Sequence, residues 1–224
     1  ATPESGVAGK CLILITPDAE RSMNTFMGIS AELSVREIDP LAIADSHYLF
    51  IESYLVTSDS GRAAAIKARQ IAQTNGTKVA LSFSDPAIIA NFSNDVKEIM
   101  GSKVDLVFCN QEEAFSFAQV SDLPAAVEKI KLVADQFVIT LGSKGALIYD
   151  GQELIAIDGI EVEAIDTNGA GDMFAGAFLY CLSQGINHQR GGEFASTAAA
   201  KVVTQYGPRL SADEYRSLVK NFFN

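Results

Sequence analysis

Residues 166–179 read DTNGAGDMFAGAFL, the most informative stretch of the chain. Gly169, Ala170 and Gly171 are small enough to let backbone N–H groups approach a ligand closely. The apolar residues after them recur at helical intervals, so a helix with one buried face is expected from Asp172 onward. Because a helix start favours an anion, the stretch predicts a phosphate-binding loop beside a carboxylate that can accept a hydroxyl proton. A plain turn before a capped helix is the simpler interpretation of these letters alone.

The composition indicates a folded, acidic protein. The chain has 224 residues, of which 48% are hydrophobic, and a formal net charge of −11, so one domain or at most two are expected. The negative charge opposes non-specific binding to nucleic acid or to an anionic membrane. No apolar run approaches the ~18 residues of a membrane span, and residues 1–9 lack the apolar region of a signal peptide. We therefore expect a soluble protein of a reducing compartment such as the cytoplasm, with neither nucleic acid nor a membrane as its partner.

Cysteine and histidine patterns predict neither a disulfide framework nor a metal site. The three cysteines are widely separated, and each is expected to be a small core residue; they are Cys11, Cys109 and Cys181. His47 and His188 have no partner at metal-ligand spacing, so neither is expected to bind a metal or take part in catalysis.

Short apolar runs alternate with helical segments, which is typical of an α/β protein with a mostly parallel sheet. The predicted strands are residues 11–16, 48–51, 78–83, 104–109 and 137–141. Residues 60–75 predict a helix that ends at Gly76. Two shorter runs, 146–149 and 153–157, predict a hairpin near a sheet edge. Further helices are expected over 193–205 and from Ser211, where a capping box begins.

Residues 166–179 resemble, position for position, the C-terminal signature of the ribokinase-like (PfkB) family of carbohydrate and nucleoside kinases. Residues 110–113 (NQEE) fit the NxxE motif of that family, and residues 140–145 (TLGSKG) fit its TxGxxG nucleotide-binding turn. The resemblance runs from residues 16–21 to 207–210. It is greatest to the adenosine kinase branch, through residues 54–57, 81–82 and 166–168. It implies an α/β three-layer sandwich with a mostly parallel central sheet and a partial β lid.

The resemblance also implies a role for each motif. Asp172 would be the general base in transfer of the γ-phosphoryl group of ATP to a hydroxyl group, and the amides of Gly169, Ala170 and Gly171 would form the anion hole. Glu113 would bind Mg²⁺ through water. The nucleotide contacts would come from Asn110, Glu113, Thr140, Gly142, Gly145 and Asn168. The positions that bind a monovalent cation such as K⁺ in some members are Asp166, Asn168 and Gly207.

Each supporting motif has a simpler interpretation. Asn110 is a good N-cap for the helix that carries Glu113, and Thr140 to Gly142 fit the end of a buried strand. Arg21 is suited either to reach a phosphate or substrate or to form an exposed ion pair.

The chain also departs from the family pattern. Members carry an N-terminal portion with an acidic substrate-binding residue, a Gly-Gly pair and part of the lid, none of which is found here. Residues 1–224 are therefore expected to be the C-terminal portion of a single kinase domain, with about residues 8–30 as a residual lid whose open edges favour a homodimer. The expected acceptor is an adenosine-like nucleoside. The alternatives are a ribose or fructose type of sugar kinase and a noncatalytic nucleotide-binding regulatory remnant.

Overall fold

The computed structural model describes residues 6–19 and 21–223. The strands are β1 (Lys10–Ile15), β2 (Arg21–Phe26), β3 (Tyr48–Glu52), β4 (Lys78–Ser82), β5 (Val104–Asn110), β6 (Ala134–Thr140), β7 (Gly145–Tyr149) and β8 (Leu154–Asp158). The helices are α1 (Pro40–Ala44), α2 (Asp59–Asn75), α3 (Pro86–Asn91), α4 (Ser93–Met100), α5 (Gln111–Ala118), α6 (Leu123–Ile130), α7 (Ala170–Ser183), α8 (His188–Val202) and α9 (Ala212–Phe223). Short 3₁₀ turns cover Gly28–Glu32, Ser53–Thr57 and Gly142–Lys144.

The strands form two sheets. The larger has the order β3-β4-β5-β6-β7-β8, and the smaller consists of β1 and β2. β3 pairs with β4 in parallel, with Tyr48 opposite Lys78, and β4 pairs with β5 in parallel, with Ala80 opposite Leu106. The predicted α/β class with a mostly parallel sheet is confirmed. β8 lies at a sheet edge, as the predicted hairpin required.

The chain divides into two compact units. The first contains the described part of Ala1–Cys11 together with Thr25–Ile139 and Tyr149–Gln152, and the second contains Leu12–Asn24, Thr140–Ile148 and the described part of Glu153–Asn224.

In the first unit, the core forms along β4 and the helices next to it in sequence. Val79 and Leu81 are fully buried, and the ring of Phe83 stacks on that of Phe117 with centroids 4.6 Å apart. α2 ends where predicted, because Gly76 adopts a left-handed conformation with φ of 75°. The buried face of α2 consists of small residues, which are Gly61, Ala64, Ala65, Ala68 and Ala72.

In the second unit, side chains of α7 and α8 form the core. Phe178 of α7 and Phe194 of α8 are fully buried, which confirms the predicted apolar face of α7. Gly192 lets α8 pack closely, since a Cβ atom there would lie 2.6 Å from the side chain of Ile148. α9 joins this core through Phe222, whose ring centroid is 5.2 Å from that of Phe194.

Several expectations need correction. Cys11 is exposed rather than part of the core, because β1 lies in the small sheet, where its side chains are exposed or half-buried. β2 was not predicted, because all six of its side chains are exposed and show no apolar alternation. α8 begins at His188, five residues before the predicted start, since Asn187 caps it by accepting a hydrogen bond from the Arg190 N–H. It also ends at Val202, short of the predicted end. Within the described ranges, no helix combines the length and apolarity needed to cross a membrane.

Candidate active site

The glycine-rich loop of the second unit is shaped by Gly169. This residue caps α7 in a left-handed conformation with φ of 79°, and a Cβ atom there would lie 2.5 Å from the carbonyl oxygen of Pro208. Both observations require glycine. α7 consequently begins at Ala170, and Asp172 is an exposed side chain in its first turn.

The first amides of α7 differ in their hydrogen bonds. The Ala170 N–H donates to the Thr167 carbonyl over 3.3 Å, and the Met173 N–H donates to the Gly169 carbonyl over 2.8 Å. In the described part of the chain, no such acceptor is found for the N–H groups of Gly171 and Asp172. Orphan amides at a helix start are the donors an anion needs. The Gly169 N–H has no such acceptor among the described residues either, so the amides best suited to an anion are those of Gly169, Gly171 and Asp172, whereas the Ala170 amide is bonded to Thr167.

Asp166 organises the segment before the loop. It is 2% exposed, and its two carboxylate oxygens accept hydrogen bonds from the N–H groups of Asn168 and Gly207, both at 2.9 Å. The Asp166 N–H donates to the Val203 carbonyl. The structure thus brings together the three residues predicted for a monovalent cation and ties the loop to the segment after α8.

The turn between β1 and β2 contacts the same loop. The Thr167 hydroxyl donates to the Ala19 carbonyl over 2.9 Å and accepts a hydrogen bond from Nη1 of Arg21 over 3.1 Å. Ala19 is 3% exposed and has a φ of 63°, which is rare for alanine. The contact of Ala19 was not predicted from the sequence, since nothing near Ala19 indicates a partner as distant in the chain as Thr167.

Residues 140–145 form a tight turn after β6. Thr140 is the last residue of β6, and the Leu141 N–H donates to the Gly145 carbonyl over 2.8 Å. Gly142 and Gly145 have φ of 62° and 95°. A Cβ atom at Gly145 would lie 2.0 Å from the Ile157 carbonyl, whereas one at Gly142 would meet nothing within 4 Å. Packing therefore requires glycine at position 145, while backbone conformation alone favours it at position 142.

In the first unit, Asn110 and Glu113 form a reciprocal cap on α5. The Glu113 N–H donates to Oδ1 of Asn110 over 2.8 Å, and the Asn110 N–H donates to Oε2 of Glu113 over 2.9 Å. Nδ2 of Asn110 donates to the second carboxylate oxygen of Glu113 over 2.8 Å. The capping interpretation of this motif is thus confirmed, and its role toward Mg²⁺ stays a prediction.

Glu113 lies in an electronegative environment. It is 6% exposed, and burial raises its pKa to about 7, opposed by the hydrogen bond with Asn110 and reinforced by the charges of Asp85 and Glu52. Burial, with Asp85 next, also raises the pKa of Tyr54 to about 12. A cation would relieve this accumulation of negative charge.

Glu52 and Asp85 were missed by the sequence analysis, although the sequence contains a signal. Asp85 directly precedes a proline and caps α3 by accepting a hydrogen bond from the Ala87 N–H, which is a recognisable helix start after a strand. Glu52 accepts a hydrogen bond of 2.6 Å from the Ser84 hydroxyl, and Ser84 has a φ of 66°. That contact depends on the fold and leaves no local trace.

The carboxylate and amide oxygens around Glu113 are chemically suited to Mg²⁺, which prefers oxygen ligands and keeps several waters. Among the described residues, no three His, Cys, Asp or Glu side chains are grouped so that they could hold a metal ion. An ion held through its own waters needs few direct protein ligands, which is the kind of Mg²⁺ contact predicted for Glu113.

Comparison with known proteins identifies the family. Residues 4–214 match the pfkB family carbohydrate kinase model. The chain belongs to the pfkB family of carbohydrate kinases. The predicted family is thus confirmed, and pfkB membership covers both units described above.

Relatives within the pfkB family include kinases of both acceptor types. The chain is 31% identical over 219 residues to a ribokinase of Haemophilus influenzae, covering 94% of this chain and 67% of that protein. It is 28% identical over 226 residues to an adenosine kinase of Schizophyllum commune, covering 90% of this chain and 64% of that protein. The crystal structure of adenosine kinase from Sinorhizobium meliloti is 28% identical, with a TM-score of 0.91 over 95% of this chain and 66% of that one. The chain therefore spans about two thirds of the length of these pfkB relatives, and the ribokinase-like fold is confirmed.

Proposed function

We propose that the protein transfers the γ-phosphoryl group of ATP to a hydroxyl group of a nucleoside or sugar, with Asp172 as the general base. The observation that carries this proposal is the position of Asp172. Its carboxylate stands in the first turn of α7 and is exposed, beside the Gly171 and Asp172 amides that have no acceptor in the described residues. A base beside an anion hole is the arrangement that phosphoryl transfer to a hydroxyl group needs.

Catalysis would combine proton removal with charge stabilisation. Asp172 accepts the proton of the acceptor hydroxyl as that oxygen attacks the γ-phosphorus, and the bond between the γ-phosphorus and the bridging oxygen of the β-phosphate breaks to release ADP. The anion-hole amides donate hydrogen bonds to the phosphoryl oxygens, where negative charge must be stabilised during transfer. Mg²⁺, when bound, would neutralise charge on the phosphates of ATP.

The proposed nucleotide contacts come from two motifs, each of which is described within its own unit. In the second unit, the turn at Thr140, Gly142 and Gly145 offers backbone and hydroxyl groups, and Asn168 lies next to Gly169, which caps α7. In the first unit, Glu113 and Asn110 would hold the water ligands of Mg²⁺, supported by the burial of Glu113, which, with the charges of Asp85 and Glu52, raises its pKa to about 7.

The leading acceptor is an adenosine-like nucleoside. The similarity to an adenosine kinase, at 28% identity, supports this choice. The similarity to a ribokinase, at 31% identity, supports the alternative of a free sugar such as ribose or fructose. A noncatalytic nucleotide-binding role is the remaining alternative, and the exposed Asp172 carboxylate argues against it.

Replacement of Asp172 tests the proposed chemistry. Asp172→Asn should lower turnover by at least ~10²-fold, typical of losing a general base, while ATP binding changes little. The assay should offer adenosine, other nucleosides, ribose and fructose with ATP and Mg²⁺. Asp213→Asn is the matched control, because Asp213 is an exposed carboxylate in the first turn of α9. Full turnover in the Asp172 variant would remove the residue from its role, and wild-type protein inactive on every acceptor would favour the noncatalytic alternative.

Four further assignments are proposals of the same kind. Asp166, Asn168 and Gly207 would bind K⁺, supported by the buried Asp166 carboxylate that joins them. Residues 1–224 would belong to one kinase domain with residues 8–30 as its lid. Two copies would pair through β1 and β2, whose exposed apolar side chains support this. A cytoplasmic location is supported by the three free cysteines.

A further inference from the structure

The Thr167 hydroxyl makes two hydrogen bonds of opposite sense to one short segment. It donates to the carbonyl of Ala19 and accepts from the guanidinium of Arg21. Only a hydroxyl side chain can donate and accept through a single atom at this position. The Thr167 N–H also approaches the Ala19 carbonyl at 3.4 Å. Ala19 belongs to the connection between β1 and β2, Arg21 is the first residue of β2, and all these residues lie in the second unit.

Ala19 is held in an uncommon conformation by these contacts. Its φ of 63° is one that an alanine keeps only when its surroundings determine it. The Ala19 N–H donates to the Thr16 carbonyl over 2.9 Å, which closes the turn on its other side. The side chain is 3% exposed, so the turn is packed as well as hydrogen-bonded.

Thr167 occupies a fixed place in the loop that leads into α7. Asp166, the residue before it, is anchored by the Asn168 and Gly207 amides. The Thr167 carbonyl accepts the Ala170 N–H at the start of α7. A displacement of Thr167 therefore acts on the amides that begin the helix as well as on Arg21.

We propose that Thr167 is a positioning residue for phosphoryl transfer, which fixes Ala19 on the anion-hole loop and holds the Arg21 guanidinium beside it. This inference rests on the proposed function. A guanidinium offers five N–H donors in a fixed fork suited to phosphate oxygens, and the contact with Thr167 fixes its Nη1 end. Thr167 touches no reacting atom and acts through Arg21 and the loop.

A double-mutant cycle tests whether Thr167 affects turnover through Arg21. Thr167→Val removes the hydroxyl at nearly constant shape and should lower kcat about tenfold, the effect of losing a hydrogen bond to a charged group. Thr167→Ser should keep kcat within about twofold. The double variant Thr167→Val with Arg21→Gln should be no slower than Arg21→Gln alone. Additive losses, or a Thr167→Val variant as fast as wild type, would overturn the proposal.

Hydrogen exchange tests the contact between Thr167 and Ala19 without a kinase assay. In Thr167→Val, the amide of Ala19 should exchange at least about tenfold faster than in wild type, because its turn loses the contact that holds it. Thr74→Val is the matched control, since the Thr74 hydroxyl donates to the Gln70 carbonyl of its own helix. It should leave the Ala19 amide unchanged. An Ala19 amide equally slow in Thr167→Val would overturn the proposal, whereas wild-type protein without any transfer activity would contradict only the function on which it rests.

Discussion

Glu113→Gln should remove a pH-dependent loss of stability. Glu113 has an ordinary pKa of 4.5 and a folded-state pKa of about 7, with burial as the main cause. The folded state therefore binds the Glu113 proton more tightly than the unfolded state does. Protonation of Glu113 stabilises the fold, and this stabilisation is complete below pH 4.5. It is lost as the pH rises through about 7. That interval corresponds to about 3 kcal/mol in the free energy of unfolding, at ~1.4 kcal/mol per pKa unit.

Urea unfolding of wild type and variant between pH 5 and pH 8 measures this difference. Glutamine can accept only one of the two hydrogen bonds that the carboxylate accepts from Asn110. This loss shifts the stability of the variant by a constant amount, so the pH slope is the readout. Wild type should lose about 2 to 3 kcal/mol more than Glu113→Gln over this range. The control Glu112→Gln changes an exposed carboxylate on the same helix and should nearly keep the wild-type slope, because the charge of Glu112 is the last of the named causes that raise the pKa of Glu113.

Magnesium extends the same experiment. A cation near Glu113 favours the ionised carboxylate, so Mg²⁺ should stabilise wild type more at pH 8 than at pH 5. The effect should be smaller in Glu113→Gln. Parallel stability curves for wild type and Glu113→Gln would refute the reasoning, because a buried carboxyl group with a raised pKa has to produce a difference in slope.

Three other predictions concern the glycine-rich loop, the cation and the lid. Gly171→Ala should raise the free energy of unfolding by up to ~1 kcal/mol yet lower turnover. Gly169→Ala should instead lower the free energy of unfolding by at least ~1 kcal/mol. Urea unfolding and the kinase assay distinguish these two outcomes. Replacing K⁺ by Na⁺ at constant ionic strength should slow turnover, and equal rates would contradict the cation site. Leu14→Lys should convert a dimer into a monomer in light scattering, since Leu14 is 55% exposed on β1; a monomeric wild type would contradict pairing through the lid.

Local signals made much of the fold predictable. The end of α2 follows from Gly76, and the start of α9 follows from Ser211, whose N–H and hydroxyl both donate to the Glu214 carboxylate. The buried strands β4 and β5 were visible as short apolar runs. These features depend on residues a few positions apart, so their physical causes are present in the sequence itself.

The contacts missed by the sequence analysis join distant residues. The hydrogen bond between Thr167 and Ala19 spans 148 positions, and that between Ser84 and Glu52 spans 32. Each depends on a backbone conformation with positive φ at a residue other than glycine, Ala19 and Ser84. Neither composition nor periodicity predicts such a conformation, because the surrounding fold imposes it. Motif resemblance located the candidate site, but its supporting contacts required the structure.

Glycine is explained differently at the two glycine positions of the anion-hole motif. The fold accounts for Gly169, because its φ of 79° and its approach to Pro208 exclude any side chain. It gives no reason for Gly171, where a Cβ atom would meet nothing within 4 Å. A glycine inside a helix lowers stability by up to ~1 kcal/mol relative to alanine. Packing does not explain why position 171 accepts this loss of stability. The absent side chain leaves the first amides of α7 open to a ligand, and Gly171 is therefore the residue of the motif that points most directly to binding.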